Sequence, residues 1–203
     1  MTRHDPTQRS DTAGRILDLA ETLIQTRGYS AFSYGDIAES LEITKAGIHY
    51  HFKSKTDLGI AVIGRYSERM SAALAAIAKD ESRTSMAMLE AYFEPYLSFS
   101  NTADRVCLSG ALAGEMLALP PPMRDRVGQF FKAHQAWLAV ILKRGARRGE
   151  FTLTAPAPKM ARLILGALQG GLLVKRVTDD VSQLLDVIAT VKSQISSKTG
   201  ESR

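Results

Sequence analysis

Apolar positions recur along the 203-residue chain with the period of a helix nearly everywhere, and no stretch shows convincing strand alternation. Ile16, Ala20, Leu23 and Ile24 fall at i, i+4, i+7 and i+8, and Arg27-Gly28 supplies a terminal cation followed by a left-handed stop. This predicts a first helix over 12–27. Ser33-Tyr34-Gly35-Asp36 reads as a capping box ahead of the inward stripe Ile37, Ala38 and Leu41, which predicts a second helix over 34–41. A tight turn at Glu42-Ile43 follows. Thr44 is then a good N-cap for a short third helix, whose buried side is marked by Ile48 and Phe52. Ser54 and Asp57 form another capping box, opening a fourth helix to about residue 79 with Leu58, Val62, Tyr66, Met70, Ala73 and Ile77 on one face. Beyond it the pattern predicts helices over 83–100, 105–118, 121–148 after the Pro120-Pro121-Pro122 stop, 156–176 and 180–197. The expected fold class is all-α.

Two short helices joined by a tight turn and packed on a first helix are the layout of a helix-turn-helix unit. The stretch ITKAGIHYHFKSK, residues 43–55, carries three lysines, two of the chain's four histidines and no acid. A recognition helix must enter the major groove with its N-terminal half, and the small residues Ala46 and Gly47 would let the backbone approach base edges and thymine methyls. His49, Tyr50 and His51 would then donate to phosphate and sugar, Lys55 would add a cation at the start of the next helix, and Lys45 is the best placed to read a base. Tyr50 could instead be a core aromatic. His49 and His51 are two positions apart, so on a helix they diverge by about 200° and do not chelate one ion. No metal is expected.

Global charge adds little to this picture. The chain has a formal charge of +5, but residues 1–58 hold 7 Lys/Arg against 8 Asp/Glu. The excess sits mostly in residues 123–150, where a charge run on a long helix is ordinarily a solvated face. A single cysteine excludes an intramolecular disulfide, and the N-terminus shows no apolar signal segment, so a reducing cytoplasm is the expected location. The longest apolar run, residues 163–174, is too short to span a bilayer, so no membrane partner is expected. Neither a phosphate-cradling glycine loop, nor a Ser/His/Asp arrangement tied to strands, nor a metal cluster emerges. An enzyme is therefore not expected, and no cofactor.

The segment GYSAFSYGDIAESLEITKAGIHYHFKSKTDL, residues 28–58, closely resembles the DNA-binding signature of the TetR/AcrR family of bacterial transcriptional regulators. By that resemblance Ser33, Tyr34, Thr44, Lys45, Ala46, Gly47, His49, Tyr50, His51 and Lys55 occupy positions that commonly meet DNA. Glu42 departs from the family pattern, which usually has glycine in the turn. A left-handed conformation there would cost a non-glycine residue about 1 kcal/mol, and it sets an acid near the DNA face.

The resemblance also implies a DNA-binding domain over 1–57 and an effector-binding, dimerising domain over 58–203. For the effector site the candidates are Met88, Phe93, Tyr96, Cys107, Met116, Phe130 and Trp137, with Phe131 beside them; the alternative is plain core, since stripes of Met and aromatics are more often that. Gly166 and Gly170 give notches on the penultimate helix, and Leu184, Ile188 and Val191 give an apolar face on the last. Such a pair can pack against its own copy as a four-helix bundle, or form an intrachain core. Cys107 follows Arg105 by two residues, and a thiol near a cation and a helix start can be reactive. Some members of the family sense compounds through a cysteine; the alternative is a buried small hydrophobe. The expected function is that of a repressor, dimeric on a roughly palindromic operator and released when a small-molecule effector shifts the fourth helix. An activator, an effector-independent DNA binder, or a small-molecule-binding protein without operator specificity are the other readings.

Overall fold

Capping chemistry sets where the helices begin. Ser33 is an extended N-cap whose hydroxyl accepts from the Gly35 N–H at 3.1 Å, while its own N–H donates to Asp36 at 2.7 Å. Thr44 accepts from the Gly47 N–H at 3.0 Å, and Ser54 accepts from the Asp57 N–H at 3.1 Å. The computed structural model describes residues 6–100, 102 and 104–196. Among them it has nine helices and no strand: α1 (Pro6–Arg27), α2 (Tyr34–Leu41), α3 (Lys45–His51), α4 (Lys55–Lys79), α5 (Ser85–Ser100), α6 (Leu108–Gly114), α7 (Pro121–Arg147), α8 (Ala157–Thr178) and α9 (Ser182–Ile195). An isolated bridge joins Phe151 and Ser196. The fold is all-α.

Three elements differ from expectation. The first helix starts at Pro6 rather than near 12, because proline suits a first helical turn and residues 7–11 are polar, so no apolar stripe announces that turn. The apolar face of α4 closes only from Leu58 to Tyr66; further on, Met70 and Ile77 are half-buried and Ala73 is exposed. The sixth helix is Leu108–Gly114 rather than 105–118, and i→i−3 turn bonds from Glu115 to Leu112 and from Met116 to Ala113 replace its last turn. The expected end of the last helix, residue 197, lies outside the described residues.

The chain forms two compact units, one of residues up to Glu68 with Leu108–Gly128, the other of Arg69–Cys107 with Gln129 onward. The division falls inside α4 and α7. Unit 1 is built on Ile16, Ala20, Ile24, Ile37, Ile48, Leu58, Val62 and Ile63, all 0 % exposed. Each of the isoleucine, leucine and valine side chains among them contributes about 1.5–3 kcal/mol through burial. Unit 2 has α8 packed on α9, and α5 packed on both. Met88, Leu89, Phe93, Leu138, Leu142, Ile164 and Leu168 fill its centre.

Candidate nucleic-acid interface

The α2–α3 turn brings the candidate residues together. Glu42 ends α2 in a left-handed conformation, φ 55° and ψ 41°, with its N–H donating to the Ala38 and Glu39 carbonyls. The turn therefore takes the geometry that usually calls for glycine, at a cost of about 1 kcal/mol. Ile48, at 0 % exposure, anchors α3 from below. Thr44, Lys45, Ala46, His49 and Tyr50 are exposed, and Gly47 is half-exposed. A Cβ placed on Gly47 would have only the Thr44 hydroxyl nearby, at 3.4 Å, so its small size is not imposed by packing. Tyr50 is 56 % exposed, which excludes a core role for it.

The aromatic and imidazole groups of this face support one another. His49 packs on Tyr34 with ring centroids 4.8 Å apart, and its Nδ1 lies 3.2 Å from the Lys53 carbonyl. His51 is half-buried, its ring 5.1 Å from that of Tyr50. Ser33 is exposed at the head of α2, with its hydroxyl donating to Asp36 at 2.7 Å. These hydrogen bonds from the Ser33 side chain and backbone hold the Asp36 carboxyl below the usual carboxylate range.

Two candidates face inward. Tyr34 is buried, and its hydroxyl donates to the Phe52 carbonyl at 3.1 Å. Burial, with a further contribution from Asp57, pushes its pKa up to about 12, so it stays a neutral donor. Lys55 sends its ammonium to the Phe32 carbonyl and over the rings of Tyr29 and Phe32, 4.6 and 4.4 Å from their centroids. Burial lowers its pKa, while Glu115 and Asp36 oppose that shift. Lys55 thus ties the turn between α1 and α2, and Tyr34 the start of α2, to residues at the other end of α3.

Sequence reasoning missed Glu115. Its carboxylate, just past α6, accepts from the backbone N–H of Tyr29 at 2.5 Å and of Ser30 at 2.8 Å. Gly28 makes this possible: its φ is +95°, and a Cβ there would lie 2.4 Å from the Glu115 carboxylate. No local pattern signals a bond that spans 86 residues.

In unit 2, Met88, Phe93, Tyr96, Cys107 and Phe130 are buried, while Trp137 and Phe131 are half-buried. Met116 belongs to unit 1, in the turn after α6. A surface groove of about 810 Å³, lined among others by Val140, Lys143, Arg147 and Leu153, includes none of the effector candidates. On the last two helices, Leu184, Ile188 and Val191 face the chain's own interior. Gly166 and Gly170 are exposed, with no atom within 4 Å of an added Cβ. Leu163, Leu173 and Val177, which the sequence did not single out for this role, are 56 %, 43 % and 86 % exposed, and Leu185, on the apolar face expected of the last helix, is 46 % exposed. Positions 163, 166, 170, 173 and 177 follow one helical face. No group of three or more metal-ligating side chains occurs among the described residues, and none of their helices is long and apolar enough to cross a membrane.

A capped short helix, a left-handed turn and a second helix with a small, acid-free outer face define a helix-turn-helix DNA-binding protein. Comparison with known proteins agrees. Residues 16–62 match the family model of bacterial regulatory proteins of the tetR family, and residues 85–191 match that of the tetracyclin repressor-like C-terminal domain. A TetR transcriptional regulator from Legionella pneumophila shares 31% identity with a TM-score of 0.82, covering 96% of this chain and 100% of that one. A TetR-family regulator from Agrobacterium tumefaciens shares 29% identity with a TM-score of 0.88, over 93% and 99% of the two chains. The transcriptional repressor NemR of Escherichia coli K12 is 21% identical over 187 residues, 91% of this chain and 94% of the relative. The chain belongs to the TetR/AcrR family of bacterial transcriptional regulators. It is a DNA-binding regulator and not an enzyme.

Proposed function

We propose that the protein is a repressor that binds a palindromic operator as a homodimer and leaves it when a small-molecule effector occupies unit 2. The observation that carries the reading is the outer face of α3, where exposed Lys45, Ala46, His49 and Tyr50 surround Gly47 above a buried Ile48. Ala46 and Gly47 meet base edges, Lys45 reads a base, and Thr44, His49 and Tyr50 bind phosphate and sugar. Ser33 and His51 lie at the margin of that face. Tyr34 and Lys55 act beneath it, positioning α3 rather than facing the groove.

Homodimerisation is supported by the exposed apolar face of α8, where Leu163, Leu173 and Val177 flank the notches at Gly166 and Gly170, with Leu185 exposed on α9. A second copy covering this face would bury it in a four-helix arrangement and present two α3 helices to two half-sites. DNA binding is assigned to residues 1–57, and effector binding and dimerisation to 58–203, with Leu108–Gly128 serving the former through the Glu115 bonds. Helix α4, which follows the recognition helix directly and contributes to both units, is the element an effector would displace. The site of action is the cytoplasm, where the operator is.

The test is binding of the purified protein to duplex DNA flanking its own gene, against a shuffled duplex of equal length, at two salt concentrations. Preference for the flanking duplex by about a thousandfold, falling steeply with salt, supports the reading. Equal affinity for both duplexes rejects operator recognition.

A further inference from the structure

The segment that joins α7 to α8 is held against α7 before it reaches the next helix. Gly145 has no side chain, and the Phe151 ring takes its place: a Cβ there would lie 2.1 Å from that ring, and Phe151 is 4 % exposed. The Gly145 carbonyl also accepts from the Glu150 and Phe151 N–H groups at 2.9 and 3.3 Å, and the Thr152 N–H donates to the Ile195 carbonyl at 2.9 Å. Pro156 and Pro158 then stiffen the backbone at the start of α8. Residues 153–158 therefore stand as a fixed wall beside α7, and the groove of about 810 Å³ between them is formed before anything enters it.

The groove has two kinds of lining. Val140, Lys143 and Arg147 lie three and four positions apart, one exposed stripe on α7. Lys143 and Arg147 carry the only charges of the lining, and their side chains make no hydrogen bond or ion pair among the described residues. Beside them Val140, Ala146, Leu153, Ala155, Pro156 and Pro158 form an aliphatic trough. Such a surface selects its occupant by charge and by shape. A cation is repelled, and a neutral apolar molecule leaves Lys143 and Arg147 unused. An anion on an aliphatic chain meets both, because guanidinium and ammonium donate to a carboxylate while the chain covers Val140 and Leu153. No aromatic ring lines the groove, so a flat body would gain no stacking there. Size argues against a folded protein partner: ten residues line the groove, against about 20–30 on each side of a stable protein interface. Its volume falls in the range of small-molecule sites, about 300–1,000 Å³.

We propose that the groove between α7 and residues 153–158 binds an aliphatic carboxylate, with the charged head on Lys143 and Arg147 and the chain laid along the apolar wall. The site goes beyond the operator reading and does not depend on it, since it shares no residue with the candidate effector centre.

The probes are octanoate, octanol and octylammonium, titrated by calorimetry into the wild-type full chain. Octanoate should bind saturably, one per chain and about tenfold more tightly than octanol, and octylammonium should bind more weakly than either. The preference should shrink as salt is raised, because both cations are exposed. Lys143→Met combined with Arg147→Met keeps straight apolar stems and removes both charges, so octanoate should fall to the octanol level while octanol binds as before. Val140→Asn leaves the cations in place and should weaken both probes. All three positions are exposed, and circular dichroism with melting verifies the fold of each variant. If the double variant does not fold, each single methionine variant should still lose part of the preference. Unsaturable uptake, equal affinity for octanoate and octanol, or an undiminished preference in the folded methionine variants would each overturn the proposal. So would absence of binding to the wild type, the result expected if a second copy of the chain covers the groove instead.

Discussion

The α2–α3 region and the centre of unit 2 are held together over different distances along the chain. Ser33 bonds Asp36, and Thr44 bonds Gly47, each across three residues. In unit 2, Tyr92 bonds His134 across 42 residues, the Trp137 indole donates to the Leu74 carbonyl across 63, and Gln169 reaches Tyr96 across 73. Local bonding leaves the outer side of α3 free of structural duty, so that side can change its chemistry and with it what it reads. Distributed bonding makes the centre of unit 2 a place where one substitution is felt on three helices. Substitutions on the α3 face should therefore alter DNA binding at constant stability, whereas those in the unit 2 centre should alter stability and its dependence on conditions.

The largest expected effect is that of Gly47→Leu. The position has space for a side chain, so melting should be unchanged or slightly higher, because leucine favours a helix over glycine by about 1 kcal/mol. Specific DNA affinity should fall to the non-specific level, a loss of about a thousandfold or more, read by anisotropy on the flanking duplex. Normal binding would remove Gly47 from the groove.

Next comes Gly170→Glu. The single chain has room for the side chain, so the helical content should persist. In a dimer the carboxylate would be buried unpaired at a cost of several kcal/mol, and sedimentation should show a monomer with weak operator binding. An intact dimer would move the interface to another face.

A third effect belongs to pH. Burial places the folded-state pKa of His134 at about 4, below the ordinary value of 6.5. As pH falls the unfolded chain takes this proton first, so the contribution to stability is full above about 6.5 and is lost between about 6.5 and 4. The linkage amounts to at most about 3 kcal/mol. Denaturant unfolding at pH 7.5 and 5 should show the wild type losing more stability than His134→Phe, and parallel losses would deny the buried neutral state.

Glu115→Gln should come fourth. It leaves one acceptor where two backbone amides now donate, at a cost of about 1–3 kcal/mol. DNA affinity should decline with it, since the α1–α2 turn loosens. Unchanged melting would show that the two amides find other partners.

The smallest effect concerns Cys107, 3 % exposed in non-helical backbone before α6. A neutral-pH alkylating reagent should modify it slowly in the native protein and quickly after denaturation, with operator binding unaltered over the native time course. Rapid native modification that releases DNA, absent in Cys107→Ser, would make the thiol a sensor.

What could be read from the sequence follows the same division of distances. The capping boxes, the α2–α3 turn and the buried role of Ile48 were legible because their partners are neighbours. The first turn of α1 was not, since its polar residues carry no periodic stripe. Lys55 read as an outward cation because its real partners, the Phe32 carbonyl and the Tyr29 ring, lie more than twenty residues away. On α8 and α9 periodicity announced apolar faces, but it does not say which one meets the chain's own core. Leu184, Ile188 and Val191 turned out to be core, and Leu163, Leu173 and Val177 to be outward. His134 gave no signal at all: a lone histidine on a basic helix acquires its character only from burial and its contact with Tyr92 on α5.

The central claim is that α3 reads DNA from each of two copies of the chain. Footprinting of the wild-type protein along the DNA flanking its own gene, repeated from low to high salt, tests it most directly. The account predicts two protected half-sites related by inversion, a helical turn or a multiple of one apart, persisting at salt that abolishes random binding. Protection without discrete half-sites, or none that survives moderate salt, would contradict it.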